Sequence, residues 1–410
     1  LSSQTILYAH SSDELYGSDI VLLELARRLD PARFRPVVVT PTDIAYEGRL
    51  SAALRQEGIA HHALDMPVLR RRYLSAAGFP QFLRRLRRGP SRLRALCQQE
   101  GVGLIHSNTA AVWGGAHAAG GGGGAPAAGG GAPARLPHLW HIHEIVEHPR
   151  LVRKLLAAMI ARTSRRANTH VVAISSAVAA HLLADQPSLS SRLTVIHDAV
   201  DSKRFHPDND GSRLRQTWNV GPSDVLVGMV GRISAWKGQE VFLRALAQAR
   251  VRAPELRGVI VGDIVPGETR LKQSLLALSA DLGLTEQVVW AGFCADAPQV
   301  MAALDVLALP SVRPEPFGMV VLEAMATARP VIAAGHGGPL ETVVAGETGL
   351  LVPPANPTAL ADALADLAAN PALRAGLGAR ARTRAQAAFS FQAHISAFQN
   401  LYAALLDAKN

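Results

Sequence analysis

Short apolar runs recur along this chain, each followed by a longer stretch with one apolar face. That alternation constrains the fold more than any other feature. Strands that are apolar on both faces must be covered on both sides, and helical crossovers joining them in parallel supply the cover. Strand-like runs in the first half are Thr5–Ala9, Pro36–Thr40, Gly103–His106, His138–His143, Val171–Ile174 and Leu193–Ile196. Helix-like stretches between them include Asp19–Leu29, Leu50–Glu57 and Leu151–Thr163. A second series starts near Asp224, with Val225–Val230, Arg257–Val261, Gln287–Trp290, Val306–Leu309 and Pro330–Ala333. The break between the series, His197 to Ser223, is rich in Asp, Pro and Gly and reads as an interdomain linker. The expected fold is therefore α/β, with two Rossmann-like, doubly wound parallel-sheet domains. Ligand sites tend to form in the cleft between such halves.

The length of 410 residues fits two to three domains, each able to bury a core. A hydrophobic fraction of 48% with 18% charged residues excludes a disordered chain. No apolar run is long enough to span a bilayer. The first residues, LSSQTILYAH, lack the basic start and apolar core of a signal peptide. Cys97 and Cys294 lie too far apart in sequence to suggest a disulfide framework or zinc pattern, so a reducing cytoplasm is the default and both read as small buried apolar residues. A formal charge of +9 and pI near 10.1 predict attraction to an acidic partner.

The richest stretch runs from Asp305 to Pro354. Val306–Leu309 reads as a buried strand, stopped by Pro314-Glu315-Pro316. Pro316 suits the first position of a helix, and Phe317–Ala326 contains good helix formers. Glu315 would then stand at a helix entrance beside the carboxyl end of a strand, where open α/β sheets bind ligands and free amides favour an anion. Glu323, eight residues on, would lie ~12 Å along the helix axis, turned by roughly 80°. Carboxylates so placed can hold hydroxyls at both ends of a ligand whose middle is anionic, as in a nucleotide sugar. VGRISAWKG puts Arg232 and Lys237 on a strand-to-helix loop at the same sheet edge. Fixed cations there would stabilise a departing diphosphate. In HSSDELYGSD, Gly17 precedes a helix that Ser18 or Asp19 would cap, leaving room for a phosphate or sugar against the backbone.

The run EPFGMVVLE, ARPVIA, GGPLETV and GETGLLVPP resembles the retaining glycosyltransferases of family 4, which have the GT-B fold. The resemblance implies two domains facing across a cleft. The first would bind the acceptor (residues 1–200, with a final helix in 391–410 crossing back onto it). After a linker at 201–223, residues 224–390 would bind the nucleotide sugar. By the same resemblance, Arg232 and Lys237 hold the diphosphate and Glu323 the ribose hydroxyls. Glu315 with the amides of Phe317, Gly318 and Met319 holds sugar and phosphate. Gly17 and His143 complete the site from the first domain, with His143 at a strand end facing the sugar and followed by the acidic Glu144. Those enzymes react on one face of the sugar, and the leaving diphosphate takes the acceptor's proton. The resemblance implies a UDP- or GDP-linked donor as substrate, no metal and no further cofactor. The implied acceptor is a hydroxyl on a lipid-linked saccharide or glycolipid of surface polysaccharide synthesis. One departure is Asp198-Ala199-Val200-Asp201, where relatives often read Asn-Gly-Val-Asp; alanine enters a left-handed turn less readily than glycine, which would alter the hinge.

Other features carry less. HEIVEHP (His143–Pro149) falls one residue short of two metalloprotease signatures and is not read as a metal site. Asp208-Asn209-Asp210 reads as a solvated turn, and Gly120–Ala134 as a flexible low-complexity loop. Met66–Gln99 contains nine arginines and no acidic residue, with Phe79, Phe82, Leu83 and Leu86 at helical spacing. Arg70, Arg71, Arg72, Arg84, Arg85, Arg87 and Arg88 are candidates for docking on an anionic membrane surface, which would place the protein at the cytoplasmic face of the plasma membrane. Two rival functions are a nucleotide-sugar epimerase, which would need no acceptor, and a nucleic-acid-binding protein, which would leave Glu315 and Glu323 unused.

Overall fold

The computed structural model describes residues 3–120, 135–147, 149–165, 168–264 and 269–408. The first sheet comprises β1 (Gln4–His10), β2 (Phe34–Pro41), β3 (Ala60–Leu64), β4 (Val102–Asn108), β5 (His138–Ile142), β6 (Thr169–Ala173) and β7 (Leu193–Val195). Their order is β3-β2-β1-β4-β5-β6-β7, and the pairings are parallel. The second sheet comprises β8 (Val225–Val230), β9 (Leu256–Val261), β10 (Val288–Gly292), β11 (Val306–Leu309), β12 (Val331–Ala334) and β13 (Leu350–Val352). It is also parallel, in the order β10-β9-β8-β11-β12-β13. In each sheet the order reverses once, between β1 and β4 in the first and between β8 and β11 in the second. Crevices at such reversals, beyond the carboxyl ends of the strands, are the ligand positions of open α/β sheets.

The chain divides into two compact units, Leu1–His197 with His394–Asn410, and Asp198–Ala393. The apolar stripe of the helix Phe391–Asp407 explains why the carboxyl end belongs to the first unit. Ile395, Phe398 and Tyr402 are buried in one cluster with Ile6, Tyr8 and Leu104. Burying each such side chain contributes about 1.5–3 kcal/mol. The second unit has its own core, with Val227, Met229, Phe242, Leu246 and Leu364 among its buried members.

Several elements differ from the sequence pattern. β3 (AHHAL) and the three-residue β13 are edge strands too short or too polar to show as apolar runs. The segment 201–223, read as a linker, lies within the second unit and includes the helix Ser212–Thr217. Arg215 anchors it, donating to Asp305 Oδ2 at 2.8 Å and to the carbonyls of Ala303 and Asp224, both at 2.9 Å. A polar anchor of this kind has no hydrophobic period to reveal it. Ala199 does not take a positive φ and is fully buried, so no left-handed turn is required there. Its neighbour Asp198 is also buried, and desolvation lifts its carboxyl to about 7. Cys97 is buried as read, but Cys294 is only partly so. Most of the Gly/Ala-rich stretch, 121–134, lies outside the described residues. Among the described residues no helix is long and apolar enough to cross a membrane.

Candidate functional site

In the second unit the polar groups gather where β8 and β11 end. The helix after β11 starts at Met319, so Pro316 is not its first residue and Phe317 and Gly318 precede it. Gly318 lies at φ 89°, in the left-handed region. Glu315 sits on extended backbone, bridged in parallel to Gly337, and the Gly338 amide donates to the Glu315 carbonyl at 2.8 Å. A Cβ on Gly337 would come within 2.3 Å of that carbonyl oxygen, which is why GGP stands at this turn. The helical spacing between Glu315 and Glu323 drawn from sequence therefore does not hold: only Glu323 is on the helix, in its second turn.

Lys237 reaches Glu315 from the loop after β8. Its Nζ donates to Oε2 at 2.7 Å and Oε1 at 2.9 Å, and Ser311 Oγ adds a third bond to Oε2 at 3.0 Å. Both side chains are largely buried, 15% and 8% exposed, which makes removal of either one costly. The ammonium also lies 4.3 Å from the Trp236 ring centroid, a cation–π contact. Gly238, at φ 84°, lets the loop pass the end of β11, since a Cβ there would be 2.0 Å from the Pro310 carbonyl oxygen. His336 Nε2 donates to the Ser311 carbonyl at 2.8 Å and fixes the same turn. Arg232 is exposed on this loop, and among the described residues its guanidinium meets no carboxylate. Glu323 is partly buried, and desolvation, only partly offset by Arg204, lifts its carboxyl to about 7.

In the first unit, β1 and β4 end in His10 and Asn108, two buried polar residues that the sequence motifs had not singled out. Their signal is positional, because each closes an apolar strand at the order reversal. His10 Nε2 lies 2.6 Å from Asp19 Oδ1, Asn108 Nδ2 3.0 Å from His10 Nδ1, and His143 Nε2 2.9 Å from Asn108 Oδ1. Thr109, next in the chain, has φ 115°, an outlier for a β-branched residue and worth about 1–3 kcal/mol of strain. Glu144 turns back on this corner, its Oε2 accepting from the amides of Ala110 and His143, both at 3.2 Å. Burial raises its carboxyl against those bonds. Burial, with His10 and His394 nearby, drives the His143 imidazole down to about 3. Asp19 behaves oppositely. Burial pushes it up, but the contacts with His10, Ser12 and the Tyr16 amide outweigh this and hold it below its usual range.

Gly17 is the first residue of its helix, with Tyr16 as the N-cap, and Asp19 accepts the Tyr16 amide at 2.9 Å from inside the first turn. Nothing lies within 4 Å of a Cβ built on Gly17, so packing does not demand glycine there. His141 and His143 have ring centroids 4.1 Å apart, but residues 143–147 form no helix, so the metalloprotease spacing has no scaffold. Asp210 accepts the Ser212 amide at 2.8 Å, placing Asp208-Asn209-Asp210 in a turn before the helix Ser212–Thr217.

The arginine-rich segment divides in two. Arg70 points inward, Nε at 2.6 Å from Asp43 Oδ2, with its guanidinium also bonded to the Ser11 carbonyl and Tyr46. Arg85 bonds Asp65 at 2.6 Å and Tyr73 at 2.7 Å and is 11% exposed. Neither is free to meet a membrane, because the buried Asp43 and the partly exposed Asp65, both outside the arginine-rich segment, have claimed them. The Arg71 side chain lies outside what the structure describes. Arg72, Arg84, Arg87 and Arg88 are exposed, as are Leu74, Phe79 and Leu83.

Two parallel sheets, each with polar residues gathered at its order reversal, define a Rossmann-like α/β protein. Family comparison is more specific. Residues 16–204 match the model of Glycosyltransferase Family 4 and residues 212–384 that of Glycosyl transferases group 1. The chain belongs to glycosyltransferase family 4. It is 33% identical over 245 residues to the D-inositol 3-phosphate glycosyltransferase of Streptomyces avermitilis, covering 58% of this chain and 52% of that one. It is 36% identical over 202 residues to the GDP-mannose-dependent alpha-(1-6)-phosphatidylinositol monomannoside mannosyltransferase of Mycolicibacterium smegmatis, covering 47% and 51%. The matched region thus spans about half the length of these curated relatives. Among solved structures, Anabaena HepE in complex with UDP superposes with a TM-score of 0.80 at 26% identity, covering 98% of this chain and 100% of that one. The same protein with UDP-glucose gives 0.78.

Proposed function

We propose that this chain transfers a sugar, with retention, from a nucleoside-diphosphate donor to a hydroxyl acceptor. The observation that carries the reading is the buried Lys237–Glu315 pair at the β8/β11 reversal, beside the amino end of the helix that starts at Met319. An ammonium whose one charged partner is a carboxylate can be redirected to a diphosphate, and the carboxylate so released can take sugar hydroxyls. Arg232 supplies a second, uncommitted cation, and the amides of Phe317, Gly318 and Met319 supply donors. Glu323, once ionised, accepts both ribose hydroxyls. Gly17 and His143 are the substrate contacts proposed for the first unit taken by itself. The bond from the sugar's anomeric carbon to phosphate oxygen breaks, the bond to the acceptor oxygen forms on the same face, and the acceptor's proton passes to the leaving diphosphate. Lys237 and Arg232 neutralise the charge that grows there, so the reading includes no metal cofactor.

The family match and the UDP and UDP-glucose complexes of HepE support a nucleotide-sugar donor. The name of the phosphatidylinositol monomannoside mannosyltransferase relative favours a glycolipid acceptor, whereas that of the D-inositol 3-phosphate glycosyltransferase relative names no lipid. For such an acceptor the exposed Arg72, Arg84, Arg87 and Arg88 with Leu74, Phe79 and Leu83 form a surface suited to the anionic inner leaflet of the plasma membrane, each arginine adding about 1 kcal/mol. The deciding experiment incubates UDP- and GDP-sugars with and without phosphoinositide or saccharide acceptors, in the presence of chelator, and reads the product anomer by NMR. Acceptor-dependent release of UDP or GDP with retained configuration is expected. Turnover of the donor sugar without acceptor would instead indicate an epimerase.

A further inference from the structure

The helix Met319–Ala326, which carries Glu323, has only eight residues, two turns too short to hold by themselves. Its place depends on what meets its ends, and its last four carbonyls need donors. The Thr327 amide and hydroxyl donate to the Glu323 carbonyl at 3.1 and 2.9 Å. The Arg329 amide donates to the Ala324 carbonyl at 2.8 Å and the Ala328 amide to that of Met325 at 3.0 Å, with Ala328 at φ 55° closing the turn. The fourth carbonyl, that of Ala326, accepts from Arg382 Nη1 on the helix Pro371–Ala388. The same nitrogen donates to the Phe205 carbonyl at 3.4 Å. Phe205 follows Arg204, whose charge draws on the Glu323 carboxylate. One guanidinium therefore ties the last turn of Glu323's helix to the segment that bears its charged neighbour. The two helices also meet closely, since a Cβ on Gly378 would be 2.1 Å from the Ala328 carbonyl oxygen, and Leu377, Ala381 and Ala385 are fully buried. A second arginine of the same helix makes the same kind of bond at another helix end. Arg374 Nη1 donates at 2.8 Å to the carbonyl of Ala368, in the last turn of the helix Pro357–Ala369.

We propose that Arg382 is a positioning residue for the donor: by tying the end of the helix Met319–Ala326 to residues 204–205, it sets Glu323 where both ribose hydroxyls reach its carboxylate. The inference rests on the reading above in taking Glu323 as the ribose contact, and deepens it by naming what fixes that contact. A carboxylate that accepts two hydroxyls at once must be held to within about 0.5 Å. Arg382 acts through the backbone rather than on the ligand, so its loss is felt by nucleotides that bear those hydroxyls and not by nucleotides that lack them.

The test is calorimetric titration of the full chain with UDP and GDP, each beside its 2′,3′-dideoxy analogue. Two hydrogen bonds to a carboxylate should make the wild type prefer the better-bound nucleotide over its dideoxy form by about 10²-fold. In Arg382→Leu that ratio should fall below about tenfold, through weaker binding of the ribonucleotide alone. Arg382→Lys, which still offers donors to both carbonyls, should keep the wild-type ratio, and so should Arg374→Leu, which removes a helix-end bond elsewhere. An unchanged ratio in Arg382→Leu, or an equal loss for both nucleotides, overturns the proposal. If that variant fails to fold, Arg382→Gln, whose shorter side chain cannot span both carbonyls, decides by the same ratio. A wild type that binds the ribonucleotide and its dideoxy form equally overturns the ribose contact at Glu323 and this inference with it. Discrimination in the wild type that survives in the Arg382 variants overturns this inference and leaves the ribose contact standing.

Discussion

The two order reversals of this chain have the same topology and different contents. Between β1 and β4 the polar groups are imidazole and amide, already paired in a line that ends on one carboxylate. Between β8 and β11 they are full charges: Lys237 held by Glu315, and Arg232 exposed beside them. A buried network of satisfied hydrogen bonds is rigid. A lysine whose carboxylate partner can be exchanged is suited to receive an anion. One fold repeated twice thus carries a hydrogen-bonded corner and a charged one, and the difference lies in the few residues that close the strands.

The sharpest way to break this comparison is Lys237→Ala. Loss of a cation aimed at the leaving diphosphate should cost about 10²–10³-fold in kcat/KM, and the stranded Glu315 should lower the melting temperature as well. Adding Glu315→Gln should restore the melting temperature without restoring activity; recovery of both would make the pair purely structural. Arg232→Ala should lose roughly 10²-fold in kcat/KM with stability unchanged within about 0.5 kcal/mol, because the side chain is exposed. Equal loss of stability would show that Arg232 is part of the scaffold.

Smaller effects sharpen the account at its edges. Replacing Arg84, Arg87 and Arg88 with glutamate should abolish co-sedimentation with anionic vesicles and spare transfer to a water-soluble acceptor; sedimentation unaltered by the change would remove the docking surface. Glu323 titrates near 4.5 when unfolded and about 7 when folded. Between those values the folded chain holds a proton that the unfolded chain has released, so stability falls as pH rises through this window. Asp198, lifted from 3.8 to about 7, acts in the same direction. Denaturant titrations from pH 5 to 8 should show a shallower fall in Glu323→Gln. Affinity for UDP or GDP should rise through pH 7 in the wild type and stay flat in the variant.

Much of this was legible in the sequence. Strands buried on both faces announce themselves as apolar runs, so β8 and β11 fall where the pattern puts them, and Lys237 and Glu315 belong to motifs whose glycines are dictated by close backbone contacts. What stayed hidden depends on partners distant in sequence. His10 and Asn108 gain meaning only when β1 and β4 become neighbours, 98 residues apart. Arg70 and Arg85 look like surface charge until Asp43 and Asp65 capture them. Arg215 looks like part of a linker until Asp305, 90 residues on, receives it. Local periodicity reports which face is buried and is silent about which distant polar group completes a pair.

Hydrogen–deuterium exchange on the full chain, with and without saturating UDP or GDP, tests the central claim most directly. The account predicts nucleotide-induced protection in the segments 231–238 and 311–323, and its loss in Lys237→Ala. Protection confined to 10–19, 106–112 and 141–147 would place the nucleotide at the reversal between β1 and β4 and contradict it.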